Sequence, residues 1–190
     1  MQEYITEELV KYSWQKLGGK NERLVINSKK IKIPINLEYV ENLKNKEVKN
    51  YILENIDSYY YCLSVDKHIF IDEKFIAGIE CKAYSENAML KRIMVDFWML
   101  KKFYPNLYCF LFQLESQLGG DFSELNKITY GSKPSHSIMS YFPEVELNIF
   151  TFLKGERKID KPIHKYFKEL KIEQLEKAVD LLENYLKGFL

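Results

Sequence analysis

The chain has 190 residues, enough to bury a core without disulfide or metal staples. Apolar residues make up 46%, which excludes a disordered chain, and 28 Lys and Arg against 27 Asp and Glu exclude a generally basic nucleic-acid binder, so any anionic partner must be held by a local patch. Acids stand where a signal peptide needs cations, no apolar run reaches the ~18 residues of a membrane span, and Cys62, Cys81 and Cys109 have no paired spacing; they read as small buried hydrophobes of a reducing cytoplasm.

In chain order, Ile5, Leu9, Tyr12 and Leu17 follow helical spacing, and Gly18-Gly19 stops that helix. Residues 23–34 alternate around Asn27 to Lys29 and predict a hairpin. A polar helical stretch runs from Asn36 to about Ile56, with a break near Asn45. Tyr59 to Val65 reads as extended. Asp66 follows, then two strands, His68–Ile71 and Phe75–Lys82, around a turn at Asp72 to Lys74. Residues 85–103 predict a helix capped by Ser85, with Leu90, Ile93, Met94, Phe97 and Leu100 as its apolar stripe. Leu107 to Leu114 is an unbroken apolar run, a strand buried on both faces, so strand, helix and strand form a βαβ crossover with parallel strands. A short helix within 121–128, a polar loop over 131–140 and a strand over 146–153 follow. The last apolar seam, Ile172, Leu175, Val179, Leu182, Leu186 and Phe189, predicts a helix that packs on the core or on a second copy.

The chemistry concentrates at Asp66, Glu80 and Lys82. The triplet of acid, any residue, lysine occurs five times, but only Glu80 and Lys82 interrupt a run of apolar strand residues. Residues two apart on a strand share a face. A hairpin centred on residue 73 sets Asp66 opposite Glu80, so two carboxylates and an ammonium meet near the end of a strand that feeds a crossover helix, where open α/β sheets bind ligands. Adjacent carboxylates repel unless a cation intervenes, and an oxygen-only donor set favours Mg²⁺. The implied chemistry is metal-assisted phosphodiester hydrolysis. The competing explanation is a surface ion pair on a strand edge.

Val65-Asp66, the interval of fourteen residues, Glu80-Cys81-Lys82 and the helix after it resemble the PD-(D/E)xK nuclease superfamily, and IECKAYSENAMLKRIMVDF resembles a type II restriction endonuclease. The resemblance covers about residues 50–115; Val65 stands where the motif has proline. It implies an α/β (α+β) fold with a mixed central sheet flanked by helices, in one nuclease domain over residues 1–190. It further implies Mg²⁺ as cofactor, with Mn²⁺ able to substitute, and a homodimer acting on double-stranded DNA. A cognate DNA methyltransferase is expected in the same system without direct contact. Carried over, Asp66 and Glu80 are metal ligands with the Cys81 carbonyl, and Lys82 is the catalytic lysine. A structure-specific repair or recombination nuclease of the same fold, and a non-catalytic DNA- or protein-binding domain, remain as alternatives.

Auxiliary candidates each carry a bland reading. Glu86 and Glu54 could add carboxylates or simply be solvated helix acids, and Gln113 either orients the site or satisfies a buried partner. Lys91 and Arg92 on the helix, and Lys133, Ser135, His136 and Ser137 in the polar loop, suit phosphate and base-edge contacts or ordinary exposure. Residues 154–171 hold seven cations, Arg157 and Lys158 among them, against three anions. This is the local patch that the neutral total hides, suited to phosphate or to a solvated face.

Overall fold

The computed structural model describes residues 2–157 and 168–190. In chain order the elements are α1 (Gln2–Lys16), β1 (Leu24–Asn27), β2 (Ile31–Pro34), α2 (Leu37–Glu41), α3 (Lys46–Glu54), β3 (Tyr60–Leu63), β4 (Lys67–Ile71), β5 (Lys74–Ser85), α4 (Asn87–Lys101), β6 (Tyr108–Ser116), α5 (Lys133–Met139), β7 (Leu147–Thr151) and α6 (Ile172–Leu186). They form two compact units, one of residues 1–28 and 65–190, the other of residues 29–64.

The larger unit is built on a mixed five-stranded sheet of order β1-β4-β5-β6-β7. β1, β4 and β5 run antiparallel, while β5, β6 and β7 run parallel. This is the α/β architecture of helices flanking a mixed sheet. One sheet face carries Ile79, Cys81, Phe110, Phe112, Phe150 and Phe152 against Leu9, Val10 and Trp14 of α1 and Ala178, Val179, Leu182 and Leu186 of α6. The C-terminal seam therefore packs on its own core. α4 lies on the other face. There Gly78 is needed, because a Cβ would stand 2.9 Å from the buried Phe97 ring.

Several local expectations are corrected. Residues 23–34 do not form a hairpin. β1 pairs with β4 and β2 with β3, because Leu24 and Ile26 pack on the main core while Ile33 is buried in the smaller unit. In α1 the buried residues are Thr6, Leu9, Val10, Ser13 and Trp14, and Tyr12 faces solvent. Residues 133–139 are helical, started by the Ser132 side chain accepting the Ser135 N–H, and no helix forms over 121–128. Ser85 ends β5, and Glu86 takes the cap position of α4 without a side-chain cap. Cys81 and Cys109 are buried, but Cys62 is exposed, because β3 buries only Leu63.

In the smaller unit the β2–β3 ladder runs from Ile31 opposite Leu63 to Pro34 opposite Tyr60. The helical stretch breaks at Asn45, whose side chain accepts the Glu47 and Val48 N–H groups and starts α3. Ile33, Val40, Ile52 and Leu63 are its buried residues.

The β4–β5 turn is Asp72-Glu73, with φ of 49° and 63°. Such left-handed pairs close two-residue hairpins. Arg23 steadies the turn through both Asp72 carboxylate oxygens, at 2.9 and 2.6 Å. His68, fully buried on β4, accepts the Val65 N–H on Nε2 at 3.1 Å. The ring is therefore neutral, and burial pulls its pKa down to about 4. An unfolded imidazole titrates near ~6.5, so between these values the unfolded chain binds more protons. Stability is then highest above about pH 6.5 and falls as pH drops through about 4, by at most roughly 3 kcal/mol. We expect the urea midpoint to drop between about pH 7 and about pH 5. His68→Gln keeps an acceptor without a titrating group, so it should flatten that slope. An equal slope in both proteins would contradict this assignment.

Candidate active site

The site forms where the chain enters β4 and where β5 approaches its C-terminal end. Lys67 pairs with Ile79, so the next residues, Asp66 and Glu80, stand opposite each other. The Asp66 carboxylate (Oδ2) accepts the Cys81 N–H at 2.7 Å, and Glu80 Oε2 accepts the Asp66 N–H at 3.3 Å. Each acid is thus held by the other's strand. Lys82, two residues beyond Glu80 on the same face, turns its ammonium back onto both. Its Nζ donates to Glu80 Oε1 at 2.5 Å, to the Cys81 carbonyl at 3.2 Å and to Asp66 Oδ2 at 3.4 Å.

Burial and the neighbouring Asp66 charge raise the pKa of Glu80, against the pull of Lys82. Burial works against the Lys82 charge, but the hydrogen bond and charge of Glu80, with the charge of Asp66, outweigh it and hold the pKa above its usual value. Burial pushes the Cys81 thiol up to about 12, so it stays neutral, packed against α1 with its Sγ 3.4 Å from Thr6 Oγ1. Its contribution to the site is the main chain.

The three oxygens around Lys82 Nζ are an oxygen-only set converging on one positive group, which is what a hard divalent cation requires. Among the described residues no three His, Cys, Asp or Glu side chains gather as a metal cluster. Two carboxylates and a carbonyl leave room for waters, which suits Mg²⁺ better than a metal needing a full protein cage.

The same face continues laterally. Lys82 pairs with Gln113 and Tyr84 with Glu115 along β6, and Gln113 pairs with Thr151 on β7. Gln113 is buried and donates from Nε2 to Thr151 Oγ1 at 3.1 Å, while its Oε1 has no partner among the described residues. Glu115 is matched by Lys168 at 2.5 Å. Glu86 is exposed one residue before α4, and Lys91 and Arg92 are exposed on it, with Arg92 3.8 Å from Asp96. Lys133, His136 and Ser137 are exposed on α5. The Ser135 hydroxyl is buried and spent on Asn87 Oδ1 at 2.9 Å and the Leu118 carbonyl at 3.2 Å, so it ties α5 to α4. Glu54 is exposed at the end of α3, in the smaller unit. Lys158, with Lys161, His164 and Lys165, lies outside the described residues. Of the other cations in that segment, Lys154 pairs with Glu124 at 3.3 Å and Arg157 stacks on Tyr84.

Two residues escaped the sequence reading. Tyr84 shares the Glu80 and Lys82 face by the same two-residue parity that found Lys82. Asp96, half-buried on α4, feels the charges of Arg92 and Lys82, although burial raises its pKa. It sits three residues after Ile93 of the apolar stripe, a placement unusual for a purely solvated acid.

No family model matches the chain. It is 60% identical over 189 residues, 98% of its length and 79% of the relative's, to the type II restriction enzyme DdeI of Desulfomicrobium norvegicum.

If Lys82 and a divalent cation compete for the same oxygens, Lys82→Ala should bind Mn²⁺ more tightly than wild type in the absence of DNA. Asp66→Asn and Glu80→Gln should bind it more weakly. Isothermal titration on the folded variants measures this, and equal affinity in wild type and Lys82→Ala would show that ammonium and cation do not compete.

Proposed function

This chain belongs to the family of type II restriction enzymes, and from that premise we propose that it is a sequence-specific endonuclease of double-stranded DNA with a PD-(D/E)xK active site formed by Asp66, Glu80, the Cys81 carbonyl and Lys82. The whole chain is read as one nuclease domain. The observation that carries the reading is the convergence of one Asp66 oxygen, one Glu80 oxygen and the Cys81 carbonyl on Lys82 Nζ, beside the parallel strands.

Asp66, Glu80 and the Cys81 carbonyl are the residues that would hold Mg²⁺, or Mn²⁺ in its place. When bound, the ion supplies Lewis acidity toward a phosphate oxygen and lowers the proton affinity of a water. The chain's own groups do the rest. Mutual hydrogen bonds between the β4 entry and β5 fix both carboxylates before substrate arrives, so little reorganisation is needed. Lys82 keeps its proton and is a donor either to the attacking water or to a nonbridging phosphate oxygen, offsetting negative charge as it develops at phosphorus. Gln113, anchored on Thr151, carries an Oε1 without a partner among the described residues on the strand next to Lys82.

Lys91, Arg92, Lys133, His136 and Ser137 are exposed near the start of α4 and on α5, and serve the proposal as phosphate and base-edge contacts. One such site cuts one strand, so a double-strand break on a two-fold symmetric target calls for two copies of the chain. A methyltransferase of the same system would protect the host sequence without touching this protein.

Lys82→Ala, Asp66→Asn and Glu80→Gln should each lower plasmid cleavage in Mg²⁺ by about 10²–10⁴-fold. The far-ultraviolet circular dichroism should not change. Gel-shift binding to the cut-site duplex in EDTA should persist for Lys82→Ala. Wild-type cleavage rates in Lys82→Ala would remove the lysine from the mechanism.

A further inference from the structure

Tyr84 lies on β5 two residues beyond Lys82, about 7 Å along the strand and on the same face. The Arg157 guanidinium is stacked over its ring, with Cζ 4.1 Å from the centroid. The main chain at Arg157 is fixed. Its N–H donates to the Ser116 carbonyl at 2.8 Å, and Ser116 is bridged to Glu156 on one side and paired with Ser85 on the other. Both ends of the stack are therefore anchored to the C-terminal edge of the parallel strands.

Among the described residues the guanidinium meets no anion. Nε and Nη1 are buried without a hydrogen-bond partner, and Arg157 forms no ion pair among the described residues. Two described acids of the adjoining main chain are engaged elsewhere. Glu115, opposite Tyr84, is matched by Lys168 at 2.5 Å, and the Glu156 carboxylate accepts the Gly119 N–H at 3.0 Å. A planar cation held on an aromatic face with unused donors is a preorganised receptor for an oxyanion.

We propose that Arg157, stacked on Tyr84, binds a backbone phosphate of the strand being cut, adjacent to the one that lies over Lys82. This rests on the nuclease reading above and adds to it a residue that sets where the strand lies relative to Lys82. Tyr84 is a positioning residue that acts through Arg157. A phosphodiester is the ligand because a DNA strand offers a single negative charge on each side of the bond to be cut, and Arg157 offers its donors on the sheet face that carries Lys82.

The test uses the full chain. Wild type with Mg²⁺ first maps the cut. Binding to a duplex carrying that cut is then measured in EDTA at several salt concentrations, for wild type, Arg157→Gln, Arg157→Lys and Tyr84→Leu. Arg157→Gln should bind on the order of tenfold more weakly, with a salt slope shallower by about 0.9, the loss of one phosphate contact. Arg157→Lys should restore the slope but only part of the affinity, since a point charge replaces the planar fork. Tyr84→Leu should resemble Arg157→Lys. A single methylphosphonate beside the cut should weaken wild type and leave Arg157→Gln indifferent. Because the guanidinium meets no anion among the described residues, Arg157→Gln should lower Tm by no more than the loss of its stack on Tyr84, as Tyr84→Leu does. An unchanged slope in Arg157→Gln, or wild-type sensitivity of Arg157→Gln to the methylphosphonate, overturns the proposal. Cleavage by wild type with no effect of Arg157→Gln removes this proposal alone, whereas a wild type that cuts no DNA removes the nuclease reading with it.

Discussion

Asp66 and Glu80 share a face because the β4–β5 ladder changes register once. The turn at Asp72-Glu73 pairs Ile71 with Lys74 and Phe70 with Phe75. Continued unchanged, that ladder would set Asp66 against Ile79, whose side chain enters the core beneath α1. The bulge between Ile69 and Phe70 shifts the pairing by one residue, so Ile69 meets Ala77 and Lys67 meets Ile79. A one-residue slip moves every later side chain to the other face. The carboxylate pair, the cross-strand hydrogen bonds to Asp66 and Cys81, and the approach of Lys82 all depend on that shift. Bulges re-aim side chains in this way beside active sites.

Around that pair, opposing charges are kept close and half-buried. Two carboxylates on neighbouring strands repel, and burial first, then the Asp66 charge, raise the pKa of Glu80. Lys82 relieves the repulsion from a position on β5 that shares their face and reaches both. The back of the site is packed against helices. Cys81, between the two functional residues, points the other way into the α1 and α6 layer, and Lys67 beside Asp66 is paired with Glu7 of α1 at 2.8 Å. The helices on one side of the sheet therefore fix the main chain whose other side carries the chemistry.

Much of this was legible in the chain because it rests on local periodicity. The ExK triplet inside an apolar strand, the apolar stripe of the next helix and the buried run at Leu107 to Leu114 each announce their element, and together they imply the parallel β5–β6 pair that the fold contains. The opposition of Asp66 and Glu80 is also legible, but from a turn centred one half-residue too late; the actual turn is tighter and the bulge makes up the difference. The segment at residues 23–34 misled because alternation identifies strands but not their partners, and its two halves join different sheets. The seven residues of α5 bury only Ser135 and so leave no apolar stripe, which is why the sequence alone reads as loop there.

The sequence by itself determined most of the strands and helices, those with a clear apolar period, and that two acids and a lysine interrupt an apolar strand region, since these are properties of near neighbours. It determined that the charge total is near zero, but not where the uncompensated charge lies. Tertiary structure alone decided that Lys154 and Lys168 are matched by Glu124 and Glu115 while Arg157 is left on Tyr84. Those pairings bring together groups some 30 to 70 positions apart, and only the stacking of β5, β6 and β7 side by side sets which of them meet.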